Sequence, residues 1–207
     1  MNLDDLIVPL DRALRTLFAP AHSARQIPGE QLEDGAMDEG PRRLAGALMR
    51  VNHTGEICAQ ALYEGQLLVV RDSEVRALLA RAANEEIEHL AWTERRIDEL
   101  GARKSLLNPL FYAGSFALGA VAGLLGDRWS LGFLAETEKQ VEQHLDRHLE
   151  RLPDVDRRSR AIVEQMKVDE NGHALAARRQ GAAELPFPVR LAMRLASRVM
   201  TGTTRWL

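Results

Sequence analysis

Two glutamates in this chain stand three residues before a histidine: Glu86 and His89 in E-I-E-H, and Glu170 and His173 in E-N-G-H. Positions i and i+3 of an α-helix share a face, so each pair can aim a carboxylate and an imidazole at one point. Taken alone, such a pair is also what a solvated helix surface carries, where it contributes a few tenths of a kcal/mol. Height sharpens the signal. An antiparallel helical hairpin brings together residues equally far from its turn. With a first turn near Asp72, Glu56 lies 16 residues before it, and Glu86 and His89 lie 14 and 17 after it. With a second turn near Asp154, Glu138 lies 16 before it, and Glu170 and His173 lie 16 and 19 after it. The offset between halves is 82 for the single glutamates and 84 for both Glu-x-x-His pairs, the mark of an internal repeat one hairpin long.

Four carboxylates and two imidazoles at one level are a ligand set for two divalent ions, as in ferritin-like di-iron and di-manganese proteins. Hard oxygen donors with imidazole suit iron or manganese, whereas structural zinc usually brings thiolates. Four buried glutamates without metal would repel one another, and two divalent cations cancel their charge. Glu136 and Glu142 compete with Glu138 as the third carboxylate; hairpin height favours Glu138.

The elements that must position these groups are helices almost throughout. Residues 2–18 read as a short amphipathic helix with Leu3, Leu6, Ile7, Leu10, Leu14 and Leu17 at helical spacing. Residues 19–41 are rich in Pro and Gly and read as a loop. Long helices are expected over about 42–71, 74–100, 130–151 and 155–180, with Asp72 or Ser73 capping the second and Gly101 and Gly181 ending the second and fourth. A last helix over about 188–200 follows Pro186 and Pro188. No strand signal stands out. Two tight hairpins joined by a long connection predict an all-α four-helix bundle with a crossover helix and extra terminal helices. The expected organisation is an N-terminal segment, 1–41, and a di-metal domain, 42–207.

Other residues are weaker candidates. His144 and His148 form an i, i+4 pair, but D-R-H-L-E-R is mostly charged and reads as a solvated face or outer support. His53 stands one turn before Glu56 and could touch the site or its substrate. Tyr63 reads as a core tyrosine, with hydrogen bonding to the site as the alternative. Cys58 reads as a small core residue. Gly172 costs its helix about 1 kcal/mol, which close approach of a neighbouring helix or substrate would explain.

Composition sets limits. The 207 residues carry a formal net charge of −3, which gives no general reason to expect nucleic acid. A single cysteine excludes a disulfide or a cysteine-ligated cluster within one chain. M-N-L-D-D-L does not read as a signal peptide, and no GxGxxG or P-loop is present.

R-V-N-H-T-G-E (50–56), E-I-E-H (86–89), A-E-T-E-K-Q-V-E-Q-H-L (135–145) and V-D-E-N-G-H (168–173) resemble the demethoxyubiquinone hydroxylase family, membrane-associated di-iron enzymes of ubiquinone biosynthesis. The likeness covers about residues 42–207. It implies a two-iron centre held by Glu56, Glu86, His89, Glu138, Glu170 and His173, with Glu86 and Glu170 bridging and Glu56 and Glu138 terminal. The implied reaction is O2-dependent hydroxylation of the ring of 2-polyprenyl-3-methyl-6-methoxy-1,4-benzoquinol. The two electrons it needs are expected from NADH, a reductase or the quinol itself. Self-association or assembly with other ubiquinone-biosynthesis proteins stays open, and a ferritin-like ferroxidase or iron carrier is the competing function.

A lipid-borne substrate directs attention to two segments. Residues 105–126 hold no charged side chain. They approach the length of a span, yet spanning would put the two hairpins on opposite sides of the bilayer and break the shared site. Lying on the membrane surface is favoured over burial in the bundle. Helix 188–200 carries Arg190, Arg194 and Arg198 beside Leu191, Leu195 and Val199, and Trp206 follows, a pattern suited to an anionic surface. The expected location is peripheral, on the cytoplasmic face of the cell membrane.

Overall fold

The computed structural model describes residues 4–207, and side chains from residue 7 onward; Leu3 and the Leu6 side chain of the expected N-terminal stripe lie outside the described residues. Among the described residues seven helices follow one another: α1 (Asp4–Phe18), α2 (Glu39–Val69), α3 (Ser73–Glu99), α4 (Asn108–Leu124), α5 (Asp127–Leu149), α6 (Arg157–Arg179) and α7 (Phe187–Thr204). There is no strand among the described residues. Helices α2 and α3 form one hairpin and α5 and α6 the other, while α4 crosses between them along α2. This is the all-α, ferritin-like four-helix bundle with a crossover that the spacing predicts.

Local chemistry explains the ends. The Asp72 carboxylate accepts from the backbone N–H groups of Glu74 and Val75 at 2.8 and 3.0 Å, so Asp72 rather than Ser73 caps α3. Asp156 caps α6 from Ser159 N–H at 3.0 Å, which moves the start of α6 to Arg157, two residues later than expected. Helix α2 begins at Glu39, taking Gly40 and Pro41 into its first turn, where a missing N–H costs nothing. Gly101 and Gly181 end α3 and α6 at φ +67° and +93°, so the two halves stop by the same device.

Two apolar layers bracket the middle of the bundle. One joins Tyr63, Val75, Leu79, Leu131 and Leu134, and the other joins Leu48, Met49, Trp92, Ile97, Leu145 and Met166. Along every bundle helix the Glu and His positions fall between these layers. The segment before α2 is pinned to the bundle by Arg96. This buried guanidinium donates to Asp34 at 2.6 Å and Asp156 at 2.8 Å, tying that segment and the cap of α6 to α3.

Helix α4 has one packed face and one exposed face. Its inner face lies so close to α2 that a methyl added at Gly119 would overlap the Leu62 carbonyl, and one at Gly65 the Phe116 carbonyl. On its outer face Leu110, Leu118, Val121 and Leu124 stay exposed. No described helix is long and apolar enough to cross a membrane.

Candidate metal centre

All six candidate ligands meet in the centre of the bundle, and none is more than 8% exposed. They form two interlocked groups. Glu56, Glu86, His89 and Glu170 bring ligand atoms within 4.8 Å of one another, and so do Glu86, Glu138, Glu170 and His173. Glu86 and Glu170, one from each hairpin, belong to both groups. His89 Nδ1 lies 3.2 Å from both Glu86 Oε2 and Glu170 Oε1, and 3.5 Å from Glu56 Oε2. His173 Nδ1 lies 3.2 Å from Glu170 Oε2 and 3.5 Å from Glu86 Oε1. Glu136 and Glu142 are not in either group.

The outer nitrogens carry information that the spacing argument missed. His89 Nε2 meets Asp169 Oδ2 at 3.1 Å, and His173 Nε2 meets Glu85 Oε2 at 2.9 Å. Each acid immediately precedes the glutamate of one motif and holds the histidine of the other. A carboxylate on Nε2 holds a proton there, so that a metal displacing the inner proton finds the Nδ1 lone pair facing it. The signal was present in E-E-x-x-H (85–89) and D-E-x-x-H (169–173). Asp169 is steadied in turn by Arg25 Nη1 at 2.9 Å and Gln165 Nε2 at 2.9 Å.

The electrostatics call for positive charge. Burial pushes the Glu56 carboxyl well above the usual carboxylate range, and the neighbouring Glu86 adds to the shift. Burial likewise raises Glu138, reinforced by the charge of Glu170. Burial also acts against ionised Glu170, but hydrogen bonds from His173 and His89 prevail and hold it low. For the histidines burial disfavours the cation, yet the carboxylates win. His89 is held well above its ordinary value by Asp169, Glu170, Glu56 and Glu86, and His173 is pushed up to about 11, chiefly by Glu170. Protons thus occupy the place of cations. Glu86 Oε1 and Glu138 Oε2 are buried without a hydrogen-bond partner, as expected of oxygens aimed at an ion. Four carboxylates, two inward Nδ1 atoms and two unsatisfied oxygens fit a pair of divalent iron or manganese ions.

A family model described as the ubiquinone biosynthesis protein COQ7 matches residues 43–204. The chain belongs to the COQ7 family. Its likeness to curated relatives runs the length of the chain. It is 62% identical over 206 residues to the 3-demethoxyubiquinol 3-hydroxylase of Nitrosospira multiformis, covering 100% of this chain and 99% of that protein. The protein of the same name from Nitrosomonas europaea is 60% identical over 207 residues, covering 100% of each. That of Azoarcus sp. is 63% identical over 198 residues, 96% of each.

In this COQ7-family chain a cavity of about 430 Å³ lies between α2, α4, α5 and α7 and reaches Glu56. Its wall is mostly apolar, including Leu62, Leu110, Phe111, Phe133 and Met200. His144 lines it and His148 is buried, which corrects the solvated-face reading of that pair. Asp146 and Arg147 keep partly or fully to solvent, while His148 is buried at 3% exposure and His144 is half-buried. Tyr63 is fully inside the core, and its hydroxyl also donates to Glu138, so both readings of that residue hold. Cys58 borders the same cavity, with burial pushing its thiol up to about 11, an unreactive state. His53 faces elsewhere, into a more polar cavity of about 510 Å³ under α1. Gly172 disagrees with the expectation of close approach: a methyl there would meet nothing within 4 Å.

Proposed function

We propose that this protein is a monooxygenase that uses dioxygen to hydroxylate the ring of a 2-polyprenyl-3-methyl-6-methoxy-1,4-benzoquinol, a late step towards ubiquinone. The observation that carries the reading is the pairing of a buried carboxylate–histidine cluster with an apolar cavity that ends at one of its members, Glu56. The curated relatives named as demethoxyubiquinol hydroxylases support it across the full chain. Two iron ions would be held by Glu56, Glu86, His89, Glu138, Glu170 and His173, with Glu86 and Glu170 shared between them. When bound, the iron pair supplies the redox chemistry that activates oxygen.

The chain's own residues supply the remainder. Asp169 and Glu85 hold the imidazoles in the metal-binding tautomer. Tyr63 fixes the orientation of Glu138. The apolar cavity wall excludes water and lets an uncharged ring approach Glu56. A ferroxidase or iron carrier would have no use for such a cavity. The two reducing equivalents come from outside the chain's own groups, from a reductant such as NADH, a reductase or the quinol.

The same reading places the protein at the cytoplasmic face of the cell membrane without crossing it. Leu110, Leu118 and Val121 on α4, and Leu191, Leu195, Val199 and Trp206 around α7, are exposed, and Arg194 and Arg198 accompany them. Apolar side chains rimmed by arginine suit an anionic bilayer surface. The cavity lies between these two helices, so a prenyl tail could stay in lipid while the ring enters.

The test is turnover of iron-loaded protein with a short-chain demethoxyquinol, a reductant and 18O2. One labelled oxygen on the ring is the expected result. Iron oxidation with no hydroxylated quinol would replace this reading with the ferroxidase.

A further inference from the structure

The cavity beside Glu56 is apolar except at a few points, and most of its polar side chains are already satisfied. Gln140 donates to Glu136 at 2.7 Å, Thr137 to the Phe133 carbonyl at 2.9 Å, and Thr201 to the Arg198 carbonyl at 3.3 Å. Two lining residues are different. Asn52, 2% exposed, and His144 each keep a buried polar atom, Oδ1 and Nε2, with no hydrogen-bond partner among the described residues. Leaving such an atom unpaired is unfavourable. Both residues line one cavity, Asn52 from α2 and His144 from α5, and each brings an unpaired atom, half of a hydrogen-bonding arrangement.

We propose that Asn52 and His144 orient the substrate ring by accepting hydrogen bonds from the two hydroxyls of the reduced quinol, and so select quinol over quinone. This rests on the hydroxylase reading above. The argument is one of complementarity. The Asn52 amide nitrogen already leans on Met49 Sδ at 3.9 Å, which leaves its oxygen, an acceptor only, without a partner. His144 is kept neutral by burial and then by Arg147 and Arg151, which push it down to about 4, so its Nε2 can offer a lone pair. The His148 ring packs on it with centroids 3.9 Å apart and limits its rotation. A quinol brings two O–H donors to these acceptors. A quinone brings only carbonyl oxygens, which would face Asn52 Oδ1 acceptor to acceptor. No proton needs to leave the ring for this discrimination.

The test is binding rather than turnover. Full-length protein is loaded with zinc in place of iron, so that neither ligand form reacts, and titrated under nitrogen with a short-chain demethoxyquinol and with the matching quinone. The quinol is expected to bind about tenfold more tightly, the worth of one to two net hydrogen bonds. In Asn52→Leu and His144→Phe that ratio should fall towards one, through weaker quinol binding and unchanged quinone binding. His144→Gln, which keeps an acceptor, should retain most of the ratio. Equal affinities in the unaltered protein, or variants that weaken both forms alike, would overturn the pair and leave the hydroxylase reading standing. Failure to bind either form would overturn both.

Discussion

The two hairpins present the same motif with unequal support. In α3 the Glu-x-x-His pair ends in His89, which is fully buried, and its outer carboxylate Asp169 has a side chain only 13% exposed. Arg25 and Gln165 clamp that carboxylate. In α6 the pair ends in His173, and its outer carboxylate Glu85 has a side chain 45% exposed with no second hydrogen bond among the described residues. The single glutamates differ as well. Glu56 borders the apolar cavity, whereas Glu138 is held by the Tyr63 hydroxyl within the core. The two halves thus share one motif spacing in unequal surroundings, one single glutamate beside a cavity and the other hydrogen-bonded within the core.

Removing a shared carboxylate should erase the distinction between halves altogether. Glu170→Ala takes a ligand from both groups, so the protein should bind neither iron, whereas Glu138→Ala should keep about one iron per chain. Elemental analysis of protein grown with iron reads this directly. Retention of both irons in Glu170→Ala would exclude Glu170 as a shared ligand.

The unequal outer carboxylates should show next. Asp169→Asn should lower iron affinity by about 10- to 100-fold, the usual effect of losing the group that orients a ligand histidine. Glu85→Gln should cost several-fold less, because water can replace an exposed partner. Competition with a chelator of known affinity would rank the two, and equal losses would remove the asymmetry.

In one respect the halves agree, and the agreement predicts acid sensitivity. Each buries a neutral imidazole outside the ligand set. Burial pushes His53 in α2 down to about 3 and His148 in α5 down to about 2. Both values lie below that of an unfolded histidine, about 6.5, so the unfolded chain takes up these protons first. Their contribution is therefore fully present above about pH 6.5 and is lost as pH falls through that value towards the folded ones. Between pH 7 and 5, His53→Asn and His148→Asn should each flatten the loss of stability by about 1–2 kcal/mol in denaturant titrations. An unchanged slope would mean that these imidazoles are not kept neutral by burial.

How much of this was legible beforehand follows from what kind of fact each feature is. Helical period and hairpin height are one-dimensional, so Glu56, Glu138 and both Glu-x-x-His pairs could be placed at one level by counting from Asp72 and Asp154. The closeness of α4 to α2 was half legible: Gly119 and Gly123 stand one turn apart in the sequence, but nothing there points to Gly65 as the residue opposite. The burial of His148 was not legible, because it depends on neighbours distant in sequence, while the adjacent Arg147 and Arg151 suggested solvent. Asp169 and Glu85 were hidden for another reason. Each serves the opposite hairpin, so only the pairing of the hairpins reveals what either one is for.

The smallest expected effect concerns the residues inside the motifs, Ile87 and Glu88 in one half and Asn171 and Gly172 in the other. Ile87 borders the polar cavity under α1, and Glu88 accepts from the backbone N–H groups of Ala24 and Arg25 at 3.1 Å, so the first half uses both positions to anchor the N-terminal segment. In the second half the matching position Asn171 turns instead to its own hairpin, where its Nδ2 donates to Glu142 at 3.2 Å. Gly172 is exposed with open space where a side chain would go, and no unusual φ is recorded for it. The glycine therefore weakens α6 with no compensating contact. Gly172→Ala should stabilise the fold by about 0.5–1 kcal/mol, by restricting the unfolded chain and favouring the helix. Iron content should not change, since Glu170 and His173 keep their one-turn spacing. If stability falls instead, position 172 meets something that the isolated chain does not contain, and the exposed face of the second hairpin would differ from the first in function as well as in packing.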